Sequence, residues 1–249
     1  MVTIAVLVVT GGSRGIGAAV GRRAAEAGWS VCLSYRTGQA AAEALAKELH
    51  DLGVTARAVR ADMSIEADIV GLFAAAAELG PVTGLVANAG VVAPQRRLDE
   101  IDAARVRHLF EVNVVAPILC CREAVRRMST RHGGQGGSIV LISSAASRLG
   151  SPGEYVDYAA TKGAVDTLGV GLAKEVAGES IRVNVVRPGI IDTELHASGG
   201  DPDRAARLGP SLPLGRPGTA DEVAEAIFWL LGEQASYCTG TILDVAGGR

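Results

Sequence analysis

Short β-branched runs alternate with longer alanine-rich stretches from one end of this chain to the other. That alternation admits few folds besides βαβ units wound around a parallel sheet. The spacing predicts seven strands, at Thr3–Val9, Ser30–Tyr35, Thr55–Arg60, Gly84–Ala87, Ser138–Ile142, Ile181–Val186 and Thr241–Val245. Between them it predicts helices over Ile16–Ala27, Gln39–Leu52, Glu66–Leu79, Ala103–Met128, Tyr155–Ala177 and Ala220–Leu231. No repeat, low-complexity tract or linker divides the 249 residues, a length that one large α/β domain fills with a single core. With 48% hydrophobic but only 4% aromatic residues, aliphatic side chains must supply that core. The stretch Ile190–Pro213, with its glycines, prolines and leucines, reads as a mobile segment able to close apolar surface over a ligand.

Several classes of function lose support early. The net charge of −3, with both signs interspersed, offers no basic block for nucleic-acid phosphates. No apolar run approaches the roughly 18–20 residues of a membrane span, and the start lacks a basic flank and cleavage site; a soluble, cytoplasmic protein is expected. Cys32, Cys120, Cys121 and Cys238 lack Cys-x-x-Cys spacing, and His50, His108, His132 and His196 are scattered. Reduced thiols and no metal site are the expectation.

The first strand runs through Thr10-Gly11-Gly12-Ser13-Arg14-Gly15-Ile16-Gly17 straight into a helix. That context aims backbone N–H groups and a helix dipole at an anion, and glycines let a diphosphate come close. The spacing Gly-x-x-x-Gly-x-Gly departs from the usual Gly-x-Gly-x-x-Gly and lacks the Lys-Ser/Thr of a P-loop. Gly11, Ser13 and Gly15 also spell the Gly-x-Ser-x-Gly of a hydrolase elbow, but only about ten residues precede the motif, too few for the strands and oxyanion loop an elbow needs. About twenty residues further on, where an acid would select an unphosphorylated ribose, the strand ends in Ser34-Tyr35-Arg36. No acid stands between Glu26 and Glu43, so Arg36, helped by Arg14, favours the 2′-phosphate of NADP(H), with NAD(H) as the alternative.

The strand Ser138–Ile142 delivers Ser143-Ser144 at its carboxyl end, the edge where open α/β sheets bind ligands. Tyr158 and Lys162 follow, four apart and on one helical face. Reducing a carbonyl needs a proton donor where hydride arrives. A phenol of ordinary pKa about 10 must fall by about 3 units, roughly 4 kcal/mol, to work near pH 7. A positive charge about 4 Å away at an effective dielectric near 20 supplies roughly that much, so Lys162 is sufficient in size. Ser144 would donate to the substrate oxygen. Tyr155 has Ala159 four residues on and no lysine partner, so it is read as lining the cleft or starting the helix.

Together with Asp62 after the third strand, Asn88-Ala89-Gly90 after the fourth, Asn113 in the long helix and Pro188-Gly189-Ile190-Ile191-Asp192-Thr193 after the sixth, this set resembles the classical short-chain dehydrogenase/reductase family over Thr3–Gly248. The resemblance implies a doubly wound Rossmann-type sheet of order 3-2-1-4-5-6-7. It implies that Asp62 bonds the adenine amino group with the Met63 backbone beside it, and that Asn88 braces the sheet. Asn113 would hold a water in a proton relay through Lys162, while Thr193 and the Ile191 backbone would hold the nicotinamide carboxamide. Tyr35, Ala61, Ala89, Gly90, Pro188 and Gly189 complete the implied cofactor site. Lys162 would bind the ribose hydroxyls and lower the Tyr158 pKa, Tyr158 would donate the proton, and Ser144 would orient the carbonyl. Fourteen residues separate Ser144 from Tyr158 where many members have thirteen, so Ser143 stays open as the catalytic serine. Members commonly form tetramers, which makes a homotetramer or dimer the expected assembly.

The implied reaction is reversible reduction of a ketone or aldehyde to an alcohol. The rival from another class is a cofactor-sensing protein that keeps the fold without chemistry. The substrate stretches, Val91–Gln95, Leu149–Tyr155 and Ile190–Leu214, name no substrate.

Overall fold

A computed structural model describes residues 5–249; Thr3 and Ile4 of the first expected strand lie outside the described residues, as does the side chain of His196. Seven strands, β1 (Val6–Val9), β2 (Ser30–Tyr35), β3 (Ala56–Arg60), β4 (Val82–Ala87), β5 (Gly137–Ile142), β6 (Ile181–Pro188) and β7 (Ile242–Val245), form one sheet in the order β3-β2-β1-β4-β5-β6-β7. Every neighbouring pair is parallel. The reversal of direction in strand order lies at β1 and β4, where the carboxyl ends part to leave a crevice.

The apolar runs are continuous because both faces of the sheet are covered. Side chains alternate along β1: Leu7 and Val9 pack into one core with α1 (Gly15–Glu26), α2 (Gln39–Asp51) and α10 (Ala220–Leu231). Val6 and Val8 enter the other with α3 (Glu66–Ala77), α5 (Ala116–Met128) and α7 (Val156–Val176). Aliphatic residues dominate both. Among the described residues, no helix is long and apolar enough to cross a membrane.

Two elements differ from the periodicity. The single helix expected over Ala103–Met128 is α4 (Ala103–Phe110), a wider π-helical turn over Glu111–Val115, and α5. Proline supplies the reason: Pro117 has no N–H to give the Asn113 carbonyl four residues earlier, and its ring would collide with that carbonyl in a regular helix. The chain widens instead, with the Ala116 N–H reaching back to the Glu111 carbonyl. The second difference is at 190–213. Here the chain forms the short helices α8 (Leu195–Ser198) and α9 (Arg204–Leu208), and Ile190, Ala205 and Leu212 make a small apolar cluster of their own. The remaining short helix, α6 (Ala146–Leu149), follows β5.

Candidate active site

A cavity of about 350 Å3 opens at the carboxyl ends of the strands. One end is built by the turn between β1 and α1. Gly11 and Gly15 take left-handed φ values of +62° and +53° that a side chain would strain. A Cβ on Gly17 would lie 2.4 Å from the Gly11 carbonyl oxygen and 2.7 Å from the Asn88 amide nitrogen. That amide donates to the carbonyls of Thr10 and Gly11, both at 3.0 Å, so β4 ties down the loop that leaves β1. Helix α1 starts with no side-chain cap and no acid in its first turn, which leaves its N-terminal N–H groups and positive dipole facing the cavity.

Gly11, Ser13, Arg14, Gly15, Ile16, Tyr35, Arg36, Ala61, Asp62, Met63, Asn88, Ala89 and Gly90 all line the cavity, as do Pro188, Gly189, Ile191 and Thr193 toward its middle. Asp62 accepts from the Ser64 N–H at 2.9 Å and the Ser64 hydroxyl at 2.7 Å. Those bonds hold its carboxyl below the usual range, with Arg36 adding a weaker pull. Gly17 lies beneath the loop and its place is to let the loop close. Arg14 and Arg36 are both exposed at the same end.

At the other end stand Ser144, Tyr158 and Lys162, all on the cavity wall. Ser143 and Ser144 follow β5 with opposite fates. The Ser143 hydroxyl is buried and donates to the Lys162 carbonyl at 3.0 Å, whereas the Ser144 hydroxyl accepts from the Ala146 N–H at 3.1 Å and lies near enough to Tyr158 to draw the phenol's pKa down. Of the two serines, Ser144 is therefore the one within reach of the phenol. Lys162 is 4% exposed, and its ammonium donates to the Ile142 carbonyl at 2.8 Å.

The pKa relation expected between these two residues is not what the geometry produces. Burial pushes the Tyr158 phenol up to about 12, against the pull of Ser144 and with Tyr155 adding to the rise. Burial pulls Lys162 down to about 8, against the carboxylate of Asp166. The Lys162 ammonium sits 5.6 Å from the centre of the Tyr158 ring and is bonded to backbone, so desolvation of the phenol outweighs the attraction of the charge.

Asn113 does not line the cavity. It is fully buried in the π-helical turn, where its side chain accepts from the Val91 N–H at 2.8 Å and donates to the Val91 carbonyl at 2.9 Å and the Thr161 hydroxyl at 3.2 Å. The side-chain amide thus fixes the loop after β4 to α7. Its Oδ1 and the Lys162 Nζ nevertheless flank the same point beside Gly90.

Sequence reasoning missed the ion pairs around the site, one buried and one half-buried. Arg105 of α4 gives two hydrogen bonds to Asp157, at 2.7 and 3.2 Å, and a third to the Pro94 carbonyl. Asp157 in turn accepts from the Tyr158 N–H at 2.9 Å. Arg204 of α9 is bidentate to Glu154, at 2.6 and 3.3 Å, and stacks 5.1 Å from the centre of the Tyr155 ring. These pairs span about fifty residues and leave no local pattern. Tyr155 starts α7 and lines the cavity, filling both readings expected of it.

A family model described as enoyl-(acyl carrier protein) reductase, of the short-chain alcohol dehydrogenase type, matches residues 11–249. The chain is 49% identical over 247 residues to an Escherichia coli K12 protein named uncharacterized oxidoreductase YgfF, covering 99% of this chain and 100% of that one. It is 39% identical to the cis-4-hydroxycyclohexanecarboxylate dehydrogenase of Sinomonas cyclohexanicum, covering 98% and 95% of the two chains. Among solved structures it is similar to a blue fluorescent protein from a metagenomic library in complex with NADPH, at a TM-score of 0.89 and 34% identity, covering 98% and 96%. Likeness of this extent, over a fold and a cavity of the kind described, leaves one conclusion: the chain belongs to the short-chain dehydrogenase/reductase family and is a nicotinamide-dependent oxidoreductase of the CH–OH/C=O group.

Proposed function

We propose that the protein is an NADP(H)-dependent reductase that converts a ketone or aldehyde to an alcohol, with Tyr158 as the proton donor. The observation that carries this reading is one cavity in which the glycine cradle of α1 and the Ser144, Tyr158 and Lys162 side chains meet. The residues fit a nicotinamide dinucleotide. The diphosphate belongs on the uncapped α1 terminus, where a Cβ at Gly17 would close the cradle, and the adenine belongs beside Asp62 and Met63. Arg36 and Arg14 line the same cavity and would pair with a 2′-phosphate; that a solved relative is in complex with NADPH supports this reading. Ile191 and Thr193, which line the cavity, would hold the carboxamide. Bound there, the nicotinamide supplies or accepts hydride.

The protein's own groups handle the proton. A phenol raised by burial keeps its proton at neutral pH and can donate it to an alkoxide as it forms. Ser144 donates to the same oxygen and orients it. Lys162, pulled down to about 8, is still largely an ammonium at pH 7; it holds the ribose hydroxyls and replenishes the phenol's proton. Asn113 acts on this relay through position, by holding Val91 and the start of the substrate loop.

Tyr158→Phe tests the reading. Turnover of a carbonyl panel should fall by about 10²- to 10⁴-fold while NADPH binding persists; survival of turnover across the panel sinks the mechanism. If the wild type binds NADPH but reduces nothing, the sensor reading takes its place. The hydrolase alternative finds no support, since no histidine lines the cavity around Ser13 among the described residues. Phe110, Val115 and Ile118 are exposed along α4, the π-helical turn and α5, which supports an assembly of identical subunits that light scattering would size.

A further inference from the structure

The substrate end of the cavity has apolar walls at Val91, Val92, Leu149, Ile190 and Leu195, and among them the guanidinium of Arg204. A buried arginine on the wall of a substrate pocket is ordinarily a receptor for a carboxylate or another oxyanion. This one is already occupied. Only 5% exposed, it is held bidentate by Glu154 at 2.6 and 3.3 Å, with Asp201 a further 3.8 Å away. Asp201 is itself shared with Arg207 and Gln95. Glu154 is fixed in turn, since its carbonyl accepts from the Arg96 N–H at 3.0 Å and it lies at the end of a turn with left-handed backbone at Gly150, Ser151 and Gly153.

We infer that Glu154 is a specificity-determining residue: from behind the cavity wall, which it does not itself line, it neutralises the Arg204 guanidinium that an acidic substrate group would otherwise pair with. Resting on the carbonyl-reductase reading above, this assigns the pocket to neutral, apolar carbonyl compounds. An anionic compound meets two costs there. It must leave water for an apolar wall, and the Arg204 guanidinium has no free donor fork to offer it, while the other buried cation, Lys162, is bonded to the Ile142 carbonyl. A neutral ketone or aldehyde of the same shape meets neither. The same pair pins α9 to the turn before α7 and lays Arg204 against Tyr155, whose ring lies edge-on to Tyr158 at 6.5 Å, so the charge filter sits next to the reacting atoms.

The test is a matched pair, 4-formylbenzoate and its methyl ester, with the wild type, Glu154→Gln and Arg204→Met. The wild type should favour the ester by about tenfold or more in kcat/KM. Glu154→Gln, which keeps the shape and frees the fork, should shift the ratio toward the carboxylate by about tenfold, the discrimination that one desolvated charge pair typically supplies. Adding Arg204→Met to it should abolish the shift. A loss of packing alone would weaken both substrates together and leave their ratio unmoved. Calorimetry with benzoate and benzamide on the NADPH complex repeats the comparison without turnover: if no variant reduces either aldehyde but Glu154→Gln gains benzoate, the reductase reading falls and the charge filter stands. A wild type that prefers the carboxylate, or a ratio unmoved in Glu154→Gln, overturns the proposal. Should Glu154→Gln fail to fold, the wild type and Arg204→Met decide: ester preference in both sustains the inference. A carboxylate preference lost in Arg204→Met ends it.

Discussion

The two ends of the cavity are held together by different forces. At the cofactor end, shape is set by backbone: left-handed glycines, a helix terminus without a cap, and the Asn88 amide bonded to two carbonyls of the loop. At the substrate end, shape is set by charged side chains that meet across the fold, Arg105 with Asp157 and Arg204 with Glu154. A backbone cradle suits a ligand common to many enzymes, because its geometry depends on missing side chains. Side-chain pairs can be rearranged one at a time, which suits the end where substrates differ.

Breaking one ion pair should therefore cost more stability than disturbing the cradle. The Asp157 carboxylate is only 3% exposed and Arg105 only 10%. Arg105→Ala would strand a buried charge at the first turn of α7, at a cost of about 3–5 kcal/mol. The double variant Arg105→Ala/Asp157→Ala should recover part of that loss in chemical denaturation, since no charge is left unpaired. If the single and double variants unfold alike, the pair is not what anchors the start of α7. At the opposite end, Gly17→Ala would press a methyl within 2.4 Å of the Gly11 carbonyl. Overpacking of that kind costs about 1–3 kcal/mol. Here it should appear chiefly as weaker NADPH binding, measured by fluorescence titration, with activity at saturating cofactor less affected.

That division also explains what the sequence made legible. Strand and helix periods, the glycine loop and the four-residue step from Tyr158 to Lys162 are local patterns, and local geometry turns them directly into structure. Strand order then followed from the resemblance and agrees with the sheet. The ion pairs of the substrate end join residues 50 and 52 apart and carry no such signature. The π-helical turn did have one, Pro117 in the middle of an expected helix, and the apolar periodicity on either side concealed it. The pKa order of Tyr158 and Lys162 could not be read at all, because burial decides it and burial is a property of the assembled fold.

Lys162 sharpens the comparison, because it stands where the two ends meet and is charged at a cost. Its pKa is about 10.5 in an unstructured chain and about 8 in the fold. Between those values the unfolded chain binds more protons, so stability rises with pH across that window; below about 8 the full penalty applies. The shift corresponds to roughly 3 kcal/mol, part of which the hydrogen bond to the Ile142 carbonyl returns. Lys162→Met should thus stabilise the cofactor-free protein by about 1–2 kcal/mol at pH 7 while abolishing turnover. It should also flatten the rise in melting temperature between pH 8 and 10. The Tyr158 phenol, raised from 10.0 to about 12, acts with opposite sign and only above pH 10, where the fold holds more protons than the unfolded chain. A variant that melts lower than the wild type at pH 7, with the same pH slope, would mean that the buried ammonium is no burden.

The smallest effect is expected at Arg36, and it bears on whether the cofactor end discriminates by charge at all. The cradle itself is built from backbone and neutral bonds, with the carboxylates of Asp62 and Glu194 on the same cavity wall. Arg36 and Arg14 are exposed, so their attraction for a 2′-phosphate acts through water and is screened by salt. Arg36→Ala should weaken NADPH binding by about tenfold, or about 1.4 kcal/mol, and leave NADH binding nearly unchanged. Because the charges are exposed, the NADPH deficit should shrink as ionic strength rises, whereas a defect in the cradle would persist. Equal binding of the two cofactors by the wild type, or equal losses for both in the variant, would remove the phosphate from the reading of this arginine. Selectivity would then have to come from the shape of the cradle, the one element of the site that a single charge cannot tune.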